Sequence, residues 1–239
     1  METVVFHTVN AGLYLLCGTC GILIDGLHRG AEIGLSDTPE EVIRQLAVPG
    51  GIFPRLDAVL FTHLHLDHFD RLKLLALLQT PYPPLVYGPE LPETSVDARQ
   101  ISPKAHSFSV KDAQILALDT LHDGGEYRNT PHQSFLARFR QESLFIAGDA
   151  LLQEAEADYL RDFSPVPISA AFVNFYQALS AQGQSFLRRL RPERILLCHL
   201  PFRRDDRFHY LSLAQRAQRL FPPDLPPLEI PAHMRWIGG

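Results

Sequence analysis

The chain has 239 residues, 46% of them hydrophobic, and a formal net charge of −5. That size and apolar content support a substantial core, and a single α/β domain over residues 1–239 is the simplest expectation. The acidic balance, with a pI near 6.1, argues against nucleic acid as a partner, because its recognition ordinarily shows as a basic face.

The opening stretch Met1-Glu2-Thr3-Val4-Val5-Phe6 has no positive n-region and no apolar h-region, and no apolar run approaches membrane-spanning length. A cytoplasmic protein with no membrane attachment is expected. Three cysteines, an odd number, argue against a disulfide framework. Val4 to Phe6, Leu13 to Leu16 and Gly21 to Asp25 read as short strands, the second and third joined by Cys17-Gly18-Thr19-Cys20. This C-x-x-C has no second pair to complete a zinc site, and Gly18-Thr19 is ordinary hairpin-turn material.

Thr38-Pro39-Glu40-Glu41 sets a capping hydroxyl before Pro at the first helical position and predicts a helix through about Gln45, ended by Pro49-Gly50-Gly51. Leu56 to Thr62 reads as a strand. It delivers Thr62-His63-Leu64-His65-Leu66-Asp67-His68-Phe69-Asp70, in which His63, His65, Asp67 and His68 can all bind a metal. Three imidazoles and a carboxylate suit borderline divalent cations, zinc first and manganese or iron as well. On a chain leaving a strand, His63 and His65 can point the same way, while Asp67 and His68 fall at the first turn of the next helix. Donors split two and two suggest two adjacent ions.

Phe69 to Gln79 carries helical spacing, and Pro81, Pro83 and Pro84 stop it before the strand Leu85 to Tyr87. His106 to Val110 and Gln114 to Leu121 read as strands, the latter running into His122-Asp123-Gly124-Gly125. Ser134 to Phe139 and Leu144 to Ala147 read as a hairpin that runs into Gly148-Asp149. Ile168 to Val173 reads as a buried strand, Ala178 to Leu190 as a helix, and Arg194 to Cys198 as a strand ending at His199. Asp205 to Leu220 reads as a helix and Leu228 to Ile230 as a last edge strand. The order predicts two sheets with helices packed outside. An apolar run followed at once by His or Asp recurs at His122, Asp149 and His199, and a strand end is where a rigid scaffold can aim a ligand.

In H-x-H-x-D-H, a distant His, an Asp in a G-D pair and a final His, the chain resembles the metallo-β-lactamase-fold superfamily from its first strands to His199. The resemblance implies an αββα four-layer sandwich with a dinuclear site at one edge. It implies His63, His65 and His122 on one ion, Asp67, His68 and His199 on the other, and Asp149 bridging. For the middle histidine His122 is favoured because it ends a strand, with His132 as the alternate or a substrate contact. An antibiotic-hydrolysing lactamase would carry Cys where this chain has Asp149, so that activity is not expected. In length and hairpin the chain looks most similar to the branch of ascorbate-phosphate lactonase-like hydrolases and ribonuclease Z.

The expected chemistry is hydrolysis of a small ester, lactone or phosphodiester by a metal-bridging hydroxide, with Asp67 and Asp149 orienting the water and passing its proton on. Asn174, Tyr176, Arg203 and His132 are the expected substrate contacts, the arginine as a grip for phosphate or carboxylate. Two alternatives remain open on the same fold: an iron-dependent oxidoreductase resembling persulfide dioxygenases, and a ribonuclease Z-like nuclease. The residue pattern sets no oligomeric state.

Overall fold

A computed structural model of the chain describes residues 3–48, 50–91 and 99–237, so the Pro49 helix stop lies outside the described residues. The first half of the chain runs β1 (Val4–His7), β2 (Leu13–Cys17), β3 (Cys20–Ile24), α1 (Glu40–Ala47), β4 (Ala58–Leu60), α2 (Arg71–Leu78), β5 (Leu85–Tyr87), β6 (Ser107–Val110) and β7 (Ala113–Asp119). The second half runs β8 (Gln133–Arg138), β9 (Ser143–Ile146), α3 (Glu154–Phe163), β10 (Ile168–Val173), α4 (Phe175–Leu179), α5 (Ala181–Leu190), β11 (Arg194–Leu197), α6 (Tyr210–Leu220), β12 (Leu228–Glu229) and β13 (Arg235–Ile237).

These strands form two sheets, of order β13-β1-β2-β3-β4-β5 and β12-β11-β10-β9-β8-β7-β6. Strand alternation sorts their side chains into three cores. Ile22, Ile24 and Leu60 from the first sheet meet Ile115, Phe135, Ile146 and Phe172 from the second. On the outer face of the first sheet, Leu23 and Val59 pack on Val42 and Leu46 of α1 and on Leu74 and Leu77 of α2. On the outer face of the second, Leu136, Phe145, Ala171 and Ile195 pack on Leu160 of α3, Phe186 and Leu187 of α5, and Ala214 of α6. The layers are αββα, as expected. Strands β3, β4 and β5 run parallel, as do β9, β10, β11 and β12. Parallel neighbours need crossovers, which the outer helices supply, and this leaves several strands ending at one edge.

The structure differs from the expected elements in five places. Thr38 does not cap α1; its hydroxyl donates to the Gly26 carbonyl (2.9 Å) and accepts from the His28 amide (2.8 Å), so Pro39 holds the N-cap position. The helix expected from Ala178 is two helices broken at Ser180, whose extended backbone and hydroxyl cap α5. There α5 crosses close to α4, and a Cβ at Gly183 would lie 2.0 Å from the Gln177 carbonyl oxygen. Helix α6 begins at Tyr210 rather than Asp205, because the Asp206 carboxylate accepts from the Tyr210 and Leu211 amides. Helix α3 and strand β13 were not expected. The Gln153 amide donates to Glu156 (3.0 Å) to start α3.

Cys17 and Cys20 face each other across the β2–β3 hairpin without a disulfide. Burial pushes the Cys20 thiol up to about 12, which leaves it protonated and unreactive at neutral pH. Among the described residues no helix is long and apolar enough to cross a membrane.

Candidate metal centre

The residues that follow β4, β7, β9 and β11 converge at one edge of the sandwich. After β4 the chain turns tightly, with the His68 and Phe69 amides both donating to the His65 carbonyl (3.0 and 2.8 Å), before Asp70 caps α2 by accepting from the Lys73 amide. The turn brings His63 Nε2 to 3.1 Å from His65 Nδ1, with the His122 ring 4.8 Å from both of theirs. Beside them His199 Nε2 lies 2.9 Å from Asp67 Oδ2 and 3.2 Å from His68 Nε2. Two compact donor groups result: His63, His65 and His122, and Asp67, His68, Asp149 and His199.

One oxygen stands between them. Asp149 Oδ2 lies 3.4 Å from His68 Nε2 and 3.5 Å from His199 Nε2 on one side, and 3.9 Å from His63 Nε2 and 3.8 Å from His122 Nε2 on the other. Asp149 reaches that point through Gly148, which has φ +57 and whose Cβ would meet His132 Nε2 at 2.7 Å. Only glycine takes that backbone and that space without strain.

The donor set fits divalent cations. His122 Nδ1 donates to the Asp123 carbonyl (2.5 Å), while its Nε2 is buried with no hydrogen-bond partner. A buried, unpartnered ring nitrogen is costly unless something else satisfies it, and a cation does so. His132 is different. Its Nδ1 pairs with the Thr120 hydroxyl (2.7 Å) and its Nε2 accepts from the Asp149 amide (2.9 Å), so both nitrogens are engaged in holding the Gly148-Asp149 turn. It stands behind Asp149 and does not itself line the cavity over the centre.

Asp25, at the end of β3, was not singled out in the sequence. Its fully buried carboxylate accepts from the Thr62 amide (2.8 Å), the Thr62 hydroxyl (2.7 Å) and His68 Nδ1 (2.9 Å). The bond to His68 fixes the tautomer that turns a bare Nε2 toward Asp67 and Asp149. The sequence signal was present, because Asp25 follows an apolar run just as Asp149 does.

The charged groups of the cluster shift one another's ionisation. Burial opposes ionisation of His68, but Asp25, Asp149 and Asp67 outweigh it and raise its pKa well above the usual histidine value. His199 is raised in the same way against burial, by Asp149 and Asp67. Burial likewise disfavours charge on Asp67, yet His68 and His199 prevail and bring it to about 2.

A cavity of about 690 Å³ opens over the centre, floored by His65, Asp67, His122, Asp149 and His199. Asn174 and Tyr176 line it, and Asn174 Nδ2 donates to Asp149 Oδ1 (3.3 Å). Arg203 does not; it is exposed on the loop before α6. Tyr127, Phe208 and Tyr210 line the cavity unforeseen, since they come from loops and a helix start that carry no periodic signal.

Sheets, outer helices and edge cluster together make this a metallo-β-lactamase fold. No protein-family model and no curated protein matches the chain by sequence, whereas solved structures match over nearly its whole length. A metallo-β-lactamase-fold protein of Bacillus subtilis, YhfI, matches at 14% identity and TM-score 0.63, covering 99% of this chain and 98% of that one. An isothiocyanate hydrolase from Delia radicum gut bacteria matches at 18% identity and TM-score 0.64, over 100% and 99% of the two chains. CmlA, a diiron β-hydroxylase from Streptomyces venezuelae, matches at 15% identity and TM-score 0.66 over 99% of this chain, which spans only 54% of CmlA's length.

Proposed function

We propose that the chain is a metal-dependent hydrolase with two divalent ions, zinc in the first instance, acting on a small ester, lactone or phosphodiester. His63, His65 and His122 would hold one ion and Asp67, His68 and His199 the other, with Asp149 shared. The position of Asp149 Oδ2, 3.4 to 3.9 Å from ring nitrogens of both groups, carries this reading. Bound there, the ions supply Lewis acidity that brings the pKa of a water toward neutrality and polarises the attacked oxygen.

The protein's own groups supply the rest. Asp67 lies at the cavity floor and stays ionised, so its carboxylate can orient a water and hold its proton for the leaving group. Asn174 steadies the Asp149 carboxylate. Burial, then Tyr176 and Asp67, raise Tyr210 above the usual phenol value, so this residue of the cavity wall keeps its proton and can serve as a neutral donor for a substrate oxygen. A cavity of about 690 Å³ suits a small molecule better than a polynucleotide.

Asp67→Ala is expected to lose at least about 100-fold in kcat for ester hydrolysis by the metal-loaded protein, since it removes both a ligand and a proton carrier. Undiminished turnover would refute the role. The likeness to CmlA favours one second reading, an iron-loaded oxidoreductase. It requires oxygen uptake by iron-loaded protein, and hydrolysis by zinc-loaded protein without such uptake excludes it.

A further inference from the structure

The wall of the cavity differs in chemistry from its floor. Ile33, Leu35, Tyr127, Tyr176, Phe208 and Tyr210 form it. Phe208 and Tyr176 stay 53% and 56% exposed although each is large and apolar, so both present open ring surface at the mouth. Their rings continue into a belt, with Phe208 and Tyr210 centroids 5.5 Å apart, Tyr210 and Phe175 5.2 Å, and Phe175 and Tyr176 4.2 Å. Phe208 is seated deliberately: Gly34, with φ +84, lets the ring lie where a Cβ would be 2.5 Å from it.

Charge points the same way. Beyond Asp67 and Asp149, the charged side chains lining the cavity are Asp123 and Glu126, and among the described residues no Lys or Arg lines it. Arg204 lies over the Phe202 ring and pairs with Asp205 (3.6 Å), and Arg29 pairs with Glu32 (3.2 Å). Sites that grip phosphoryl groups ordinarily place Arg or Lys on the non-reacting oxygens. Here an anionic substrate would meet two carboxylates at the rim.

Resting on the hydrolase reading, we infer that the site takes an uncharged carboxylic ester or lactone bearing an aromatic group, and discriminates against phosphodiesters. The reacting carbonyl lies at the floor and the ring stacks in the Phe208–Tyr210–Tyr176 belt. Water adds to the carbonyl carbon, the C–O bond to the alkoxy group breaks, and the proton passes to that leaving oxygen, giving acid and alcohol.

The test compares zinc-loaded protein on 2-naphthyl acetate, methyl acetate and bis(4-nitrophenyl) phosphate, each rate divided by its uncatalysed rate, with equilibrium binding of 1-acetonaphthone as a readout free of turnover. The naphthyl ester is expected to show at least about 100-fold greater normalised kcat/KM than the phosphodiester. Phe208→Ala is expected to raise its KM about tenfold relative to methyl acetate, equivalent to ~1.4 kcal/mol, and to weaken acetonaphthone binding to the same extent. A phosphodiester turned over as well as the naphthyl ester, or a Phe208→Ala protein with unchanged KM ratio and unchanged binding, overturns the inference while leaving the hydrolase reading intact. Acetonaphthone binding that depends on Phe208, with no ester turned over, supports the pocket's chemistry and removes the hydrolase reading.

Discussion

Asp25→Asn tests how the centre is held without replacing any of the residues proposed to hold an ion. Asp25 Oδ1 accepts from the Thr62 amide, and Oδ2 accepts from both the Thr62 hydroxyl and His68 Nδ1. An asparagine cannot satisfy all three. If its oxygen keeps the Thr62 amide, its NH₂ faces His68 Nδ1, which must then become an acceptor and send the ring proton to Nε2, the nitrogen turned toward the metal. If the amide flips, its NH₂ opposes the Thr62 N–H. Either arrangement loses the fixed tautomer, for which carboxylate partners of ligating histidines contribute about 10- to 100-fold in metal affinity, or ~1.4 to 2.8 kcal/mol. The assay is competition for zinc against a chromophoric chelator, with circular dichroism establishing that both proteins are folded. Two folded proteins whose zinc affinities agree within about twofold would refute the reasoning.

Three further outcomes follow from the same geometry. His122→Ala removes the unpartnered Nε2 and is expected to lower the metal count toward one per chain; His132→Phe should leave two ions bound yet lose about 1 to 3 kcal/mol of stability, because the buried Asp149 amide loses its acceptor. Elemental analysis and urea denaturation separate the two, and the reverse pattern would make His132 the ligand. The third outcome concerns His7, which burial, and then His233 beside it, lower from 6.5 to about 4. Its folded value is depressed, so its contribution is fully present above pH 6.5 and is lost as pH falls through about 4, a change of about 3 kcal/mol. In metal-free protein His7→Gln should therefore lose less stability than the unaltered chain between pH 7 and pH 4.5, and parallel denaturation curves would contradict this.

The residues that gather at the candidate centre were legible because of where they stand. His63, His122, Asp149 and His199 each follow an apolar strand, and Asp25 obeys the same rule, so wider use of it finds the His68 partner as well. Deciding between His122 and His132 was beyond the sequence, since both flank β-structure near one loop. What separates them is which ring nitrogens are already engaged, a tertiary fact. Arg203 illustrates the opposite failure: a charge next to a ligand in sequence says nothing of direction, and the loop from Phe202 to His209 turns it outward and turns Phe208 in. The helix break at Ser180 was hidden in the same way, because the close packing at Gly183 is a contact between two helices and not a property of either.

Stepwise zinc titration of metal-stripped protein, following bound metal and ester hydrolysis in one sample, tests the central claim most directly. Two ions per chain, with hydrolysis rising as they bind, is the predicted result. Hydrolysis that persists in the stripped protein, or a folded chain that binds no zinc, would contradict it.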